Sequence, residues 1–207
     1  MFKCSNVKIL KLKGFTLVEI LVVIFIIVLM SGIIFANYRQ TGLQFALQRS
    51  VNKLALDIRR AEEMAMSAKE FEGTIPKGGY GMYINLNAPF NEGYIIFADC
   101  DGDFHYDENG GAPDCASATP ANPYPEKVEQ IYFERGVTVC KLCTAGADQL
   151  HLVYTPPDPK VTITEVKEGV ESQPNYMEIG LKITLPNGEE KNKWISVNSA
   201  GLIWIKQ

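Results

Sequence analysis

Side-chain oxygens crowd into one stretch of the chain, Asp99-Cys100-Asp101-Gly102-Asp103-Phe104-His105-Tyr106-Asp107-Glu108-Asn109. Counted from Asp99, carboxylates stand at positions one, three, five and nine. That spacing suits a hard, oxygen-seeking cation such as calcium, with Asp99, Asp101, Asp103 and Asp107 as its ligands. The stretch departs from an EF-hand in two ways. Its glycine is at position four rather than six, and position twelve falls within Gly110-Gly111 rather than on a bidentate glutamate. A solvated turn, in which Asp and Asn hydrogen-bond their own backbone, accounts for the same residue types. Both readings stay open on the residues alone; no cofactor is required, and calcium is the one that this stretch suggests.

Cysteines are the second reactive group. Cys4 lies in the lysine-bearing start of the chain, which leaves Cys100, Cys115, Cys140 and Cys143 downstream. Four cysteines permit three pairings. Sequence neighbourhood favours Cys100 with Cys115, closing the Asp-rich loop, and Cys140 with Cys143, bracing a bend after a strand. An oxidising exterior preserves such bonds. Cys140-Lys141-Leu142-Cys143 also has the spacing of a redox dithiol, or of half a zinc site completed by Cys100 and Cys115. A thioredoxin-like dithiol needs a following helix whose end lowers a thiol pKa, whereas Gly146 and Leu150-His151-Leu152 continue into another strand. Structural disulfides are the favoured reading.

Enzymatic chemistry finds little support. There are two histidines, His105 and His151, with no glycine-rich nucleotide loop and no Gly-x-Ser-x-Gly elbow. Asp101 and Asp107 would sit on a turn, a poor place to fix an acid and a base.

The element that must position everything else is at the start. Residues 15–36 form an almost uninterrupted apolar run of 22 residues, enough to span about 30 Å of hydrocarbon as a helix. Lys3, Lys8, Lys11 and Lys13 all precede it, which predicts an amino end in the cytoplasm and an exported carboxyl end. A cleaved secretory signal would have a shorter core and a small-residue exit. Here Met30-Ser31-Gly32-Ile33-Ile34-Phe35-Ala36 stays apolar on both sides of its one small pair. Glu19 is the anomaly, because an ionised carboxylate in lipid is expensive and usually has a partner.

The run Lys13-Gly14-Phe15-Thr16-Leu17-Val18-Glu19-Ile20-Leu21-Val22-Val23-Ile24 resembles the class III signal of type IV prepilins and type II secretion pseudopilins. The resemblance implies a prepilin peptidase/methyltransferase that cuts between Gly14 and Phe15, leaves the helix in place and methylates the new amino terminus on Phe15. It implies that Glu19 is the family's assembly glutamate, with other pilin or pseudopilin subunits and a membrane assembly platform as partners. A neighbour's positive amino terminus presented to such a carboxylate would neutralise two groups that lipid penalises. Many pilins carry a proline soon after the apolar core; this chain has none between Met1 and Phe71. Near the end, Trp194-Ile195-Ser196-Val197-Asn198-Ser199-Ala200-Gly201-Leu202-Ile203 looks like the final hairpin of the minor pilin and pseudopilin group, whose members carry a helix followed by two small sheets.

The helix is predicted to continue past the apolar run. Leu47, Val51, Leu54, Ile58, Ala61, Ala65 and Ala68 recur at steps of four and three while charges fall elsewhere, one stripe suited to packing on a sheet of the same chain. A helix from Phe15 to about Lys69 would measure roughly 80 Å, with Ser31-Gly32 and Gly42 as points of weakness. Strands are expected at 80–86, 94–98, 130–134, 137–141, 149–154, 161–166, 177–185, 194–197 and 202–205, with Pro186-Asn187-Gly188-Glu189 as a turn. Residues 113–125, rich in Ala and Pro, read as an exposed loop.

The fold class is therefore α+β: a leader (1–14), a transmembrane half-helix (15–36), an amphipathic half (37–71) and an exported β-rich domain (72–207). Removing the leader takes four lysines and no acids, moving the formal charge from -4 to -8, which argues against direct nucleic-acid binding. The reading is a structural filament subunit, first in the cytoplasmic membrane and then in an extracytoplasmic or cell-surface filament. The alternative is a membrane-anchored extracytoplasmic binding protein with a calcium-stabilised loop.

Overall fold

A computed structural model describes residues 14–142, 146–158 and 160–206. Helix α1 (Leu17–Met66) is followed by strands β1 (Gly79–Asn85), β2 (Gly93–Asp99), β3 (Lys127–Tyr132), β4 (Val137–Leu142), β5 (Gln149–Tyr154), β6 (Val161–Lys167), β7 (Val170–Ser172), β8 (Tyr176–Thr184), β9 (Glu190–Asn198) and β10 (Ile203–Lys206). Helical hydrogen bonding runs unbroken through Ser31-Gly32 and Gly42. The chain divides into two units, Met1–Thr41 and Gly42–Gln207.

In the first unit, every residue from 14 to 35 is exposed. Among the described residues this is the one helix long and apolar enough to cross a membrane. A helix satisfies its own backbone polar groups, so the Ile- and Val-rich run needs no partner for them in lipid.

The second unit holds the core. Leu47, Val51, Leu54, Ile58, Ala61 and Ala65 are all at most 2% exposed, so the expected stripe packs on sheets of the same chain. Burying each of the larger aliphatic side chains contributes about 1.5–3 kcal/mol. Ala68 is the exception and is exposed, because α1 has already ended. Ala68 adopts a left-handed φ of 47°, its N–H donates to Ala65 O at 3.0 Å, and Lys69 N–H donates to Met64 O at 3.1 Å. This is a Schellman cap built on alanine, and it turns the chain out of the helix one turn before the spacing suggests.

Among the described residues, ten antiparallel strands form two sheets, one ordered β3-β2-β1-β5-β6-β7 and the other β10-β9-β8-β4. Alternation in β8 buries Met177, Ile179, Leu181 and Ile183, which join the helix stripe and Met82, Ile84, Ile96, Leu150 and Leu152 in one hydrophobic core. The turn after β8 closes as expected, with Gly188 at φ 82° and Leu185 N–H donating to Glu189 O at 2.8 Å. Strand β7 lies outside every expected segment; its three residues are exposed and pair only with β6.

The larger sheet is covered on both faces at its centre. Tyr80, Tyr94 and Tyr154 face the core, while Phe97, His151 and Val153 are buried outside that cluster. What covers Phe97 and His151 is the loop that follows β2.

Candidate functional site

Two places could carry function, the start of α1 and the loop between β2 and β3. At the first, Gly14 and Phe15 lie ahead of the helix and are exposed, with open space around the Gly14 α-carbon. Thr16 caps the helix: its Oγ1 accepts the Glu19 N–H at 3.2 Å and its carbonyl accepts the same N–H at 3.1 Å. Glu19 stands in the first turn, where a carboxylate complements the positive end of the helix dipole. Thr16-Leu17-Val18-Glu19 thus has the Thr-x-x-Glu signature of a capping box. That signal was legible in the residues, but the apolar run masked it. The rest of the leader lies outside the described residues.

The loop is built from the residues upward as a nest of carboxylates. Asp99 closes β2 and is fully buried, its Oδ1 accepting Gly102 N–H at 2.6 Å and its Oδ2 accepting Phe104 N–H at 3.1 Å. Gly78 permits this, since a Cβ there would fall 1.8 Å from Asp99 Oδ2. Asp101 Oδ1 accepts Asp103 N–H at 3.2 Å, and Asp103 Oδ1 accepts His105 N–H at 2.8 Å. Glu126, also fully buried, comes from the far end of the loop and accepts Cys100 N–H at 2.7 Å and Asp107 N–H at 3.1 Å.

The four expected aspartates therefore do converge, and the structure adds a fifth acid. Carboxylate oxygens of Asp99, Asp101 and Asp103 lie within 4.8 Å of one another, as do those of Asp101, Asp107 and Glu126. Glu126 gave no signal in sequence: it stands 19 residues beyond Asp107, beside Pro125, with no pattern to tie it to the cluster.

Electrostatics follow from burial of like charges. Burial pushes Asp99 up to about 7 and Glu126 up to about 9 against the backbone hydrogen bonds that oppose it, and burial with the Asp103 and Asp101 charges raises Asp107 to about 6. Asp103 is held below its usual value by the hydrogen bond to His105, which is itself raised to about 9. Burial lowers His151 to about 3, and its Nδ1 accepts Tyr106 N–H at 3.0 Å. Tyr106 packs on Tyr83 and Phe97 with ring centroids 5.1 and 5.6 Å apart, fixing the loop on the sheet.

Cys100 and Cys115 are joined in a disulfide with their α-carbons 5.0 Å apart, which closes this loop and uses the two thiols that a shared zinc site would need. Residues 113–125 are not wholly exposed as expected, because Cys115 and Ala118 are buried with Cys100 and Ala112 in a small second core. Lys77 Nζ donates to Ala118 O at 2.6 Å and pins the tract. Cys140 carries a half-buried free thiol; its expected partner Cys143 lies outside the described residues.

No curated protein and no solved structure matches the chain. Residues 11–35 match the family described as Prokaryotic N-terminal methylation motif, the stretch that contains Gly14, Phe15, Thr16 and Glu19. With that motif opening a long apolar helix, and the helix packing onto antiparallel sheets, the chain carries the hallmark signal of prepilin-peptidase substrates on a pilin-like α+β arrangement.

Proposed function

We propose that the chain is a minor subunit of a type IV pilus or type II secretion-like pseudopilus, inserted amino end inward in the cytoplasmic membrane before assembly. The observation that carries this reading is the division of labour along α1. Its inner-facing residues from Leu47 to Ala65 are buried against the sheets, while residues 15–35 are apolar and exposed. An apolar surface of that length finds stable surroundings first in lipid and then among the same helices of neighbouring subunits.

Glu19 fits the assembly step. A new amino terminus on Phe15 of an incoming subunit would pair with the Glu19 carboxylate of a subunit already in place, and the pairing would set the axial register. Lysines in the leader support the inward orientation. The part played by the folded domain is structural, and its acidic surface supports protein neighbours rather than nucleic acid.

Intact-mass measurement of the membrane-extracted protein tests the reading. The expected species begins at Phe15, carries one added methyl group and keeps the helix. A mature chain that starts beyond residue 36 would overturn it.

A further inference from the structure

We propose that the outer face of the larger sheet carries a saccharide site, a trough over β1, β2 and β3 that takes two rings of a neutral glycan. This inference concerns only the folded domain and stands apart from the filament reading.

Strand alternation lays the floor. Met82, Ile84, Ile96 and Ile131 belong to the core, which turns Tyr83, Asn85, Ile95, Gln130 and Tyr132 to the opposite face. Register places Tyr83, Ile95 and Gln130 in one row across the three strands, and sets Tyr132 opposite Gly93. Gly93 has no side chain, so the floor dips beside Tyr132. The connection from β1 to β2 supplies one wall, with Pro89, Phe90 and Glu92. The loop after β2 supplies the other, with Tyr106 and Glu108, and Lys127 stands at its end.

Two adjoining cavities result, each of about 230 Å³, which share Tyr83, Asn85, Phe90, Ile95 and Gln130. Each is smaller than the roughly 300–1,000 Å³ of pockets for drug-sized ligands and suits a single six-membered ring. Side by side they suit a disaccharide.

The floor is held in place before any ligand arrives. The Tyr83 ring packs on those of Tyr106 and His151, with centroids 5.1 and 4.9 Å away. Asn85 Nδ2 donates to Tyr83 Oη at 2.9 Å, and Asn85 Oδ1 accepts Asn87 N–H at 2.8 Å. Fixing these groups in advance lowers the ordering cost of binding. Around them stand two aromatic rings left largely in solvent, Phe90 at 52% and Tyr132 at 64% exposure. Exposed aromatics gathered on one concave surface mark a place of contact.

The lining selects the ligand. Aromatic faces are electron-rich and attract the weakly positive C–H face of a pyranose. The amide of Gln130 offers a donor and an acceptor in one plane, and the carboxylates of Glu92 and Glu108 accept, which matches hydroxyl groups that both donate and accept. A wholly apolar ligand would desolvate these polar groups without replacing their hydrogen bonds. An anion would meet Glu92 at one end and Glu108 at the other. A cation would find a single carboxylate at each end, offset at the second by Lys127.

The test uses the full chain in a polyoxyethylene detergent, whose head carries no sugar, and saturation-transfer NMR. The probes are cellobiose, lactose and N,N′-diacetylchitobiose, with the matching methyl glycosides, choline and lysine amide. At least one disaccharide should receive saturation on its ring C–H protons and bind more tightly than its methyl glycoside. Phe90→Ala and Tyr132→Ala should each weaken that binding at least about tenfold, while Tyr132→Phe, which keeps the ring, should bind as the parent does. Gln130→Leu should weaken it at least about fivefold through the lost hydrogen bonds. Tyr176→Ala, which removes an exposed aromatic of the other sheet, should change nothing. Should an alanine variant melt below the parent, Gln130→Leu carries the comparison. The absence of transfer to every saccharide would overturn the proposal. So would a disaccharide that binds no more tightly than its methyl glycoside, equal weakening by Tyr176→Ala, or tighter binding of choline or lysine amide, which would mark a cation site instead.

Discussion

The Tyr94 hydroxyl donates to Asp57 Oδ2 at 2.5 Å, a bond from the second strand of the larger sheet to the middle of α1. Burial, and then the hydrogen bond to Asp57, raise the pKa of Tyr94 far above its ordinary value, so the phenol stays protonated and remains the donor. Around it, Arg60 pairs with Glu129 at 2.8 Å and Arg49 with Glu134 at 2.5 Å, while Glu134 N–H donates to Ser50 Oγ at 3.1 Å. A polar seam thus fixes α1 along the β3 edge beside its apolar stripe.

Tyr94→Phe should cost about 1–3 kcal/mol of stability, because it leaves a largely buried Asp57 carboxylate without its donor. Arg49→Ala should leave stability close to the parent's, since both partners of that pair are well exposed. Denaturant unfolding of the two variants side by side measures the difference.

The two halves of α1 should answer differently to truncation. Leu54→Ala or Ile58→Ala, at fully buried positions, should destabilise the domain by about 2–5 kcal/mol. Leu21→Ala, at an exposed position of the apolar half, should leave the unfolding midpoint of the domain unchanged. Thermal melts in one detergent decide the matter.

Removal of the Cys100–Cys115 disulfide should destabilise the domain by about 3 kcal/mol, the figure for closing a loop of about 15 residues. Cys100→Ser/Cys115→Ser compared with the parent under non-reducing conditions provides the measurement. A change below about 0.5 kcal/mol would show that the small second core holds the loop without the bond.

Glu19→Ala should leave the protein in the membrane fraction while cutting its recovery in sheared filaments at least about tenfold, the effect of leaving a neighbour's amino terminus unpaired. Thr16→Ala removes only a helix cap, worth about 1 kcal/mol, and should lower assembly far less. Immunoblots of sheared and membrane fractions separate the two outcomes.

Local pattern was enough for much of this molecule. A 22-residue apolar run, the Gly14-Phe15 step and Glu19 five residues on are contiguous in the chain, and so they were visible without any fold. The stripe from Leu47 to Ala65 and the alternation of β8 were equally plain, since helix and strand periods of 3.6 and 2 are properties of the backbone. Ala68 and β7 escaped because an alanine in a left-handed cap and three exposed residues on a sheet edge leave no periodic trace.

What waited for the fold was everything that depends on distant segments meeting. The Asp-rich stretch read equally well as a turn or as an ion site while its neighbours were unknown. Pairing of β2 with β3 brings Glu126 back against Asp99 and Asp101, and packing of Tyr106 on Tyr83 and Phe97 holds the loop over the sheet. Charge repulsion and desolvation act through space, not along the chain. Spacing alone therefore showed four aspartates, and tertiary packing gathered them with Glu126 into two carboxylate groups that share Asp101, with Asp99 and Glu126 buried.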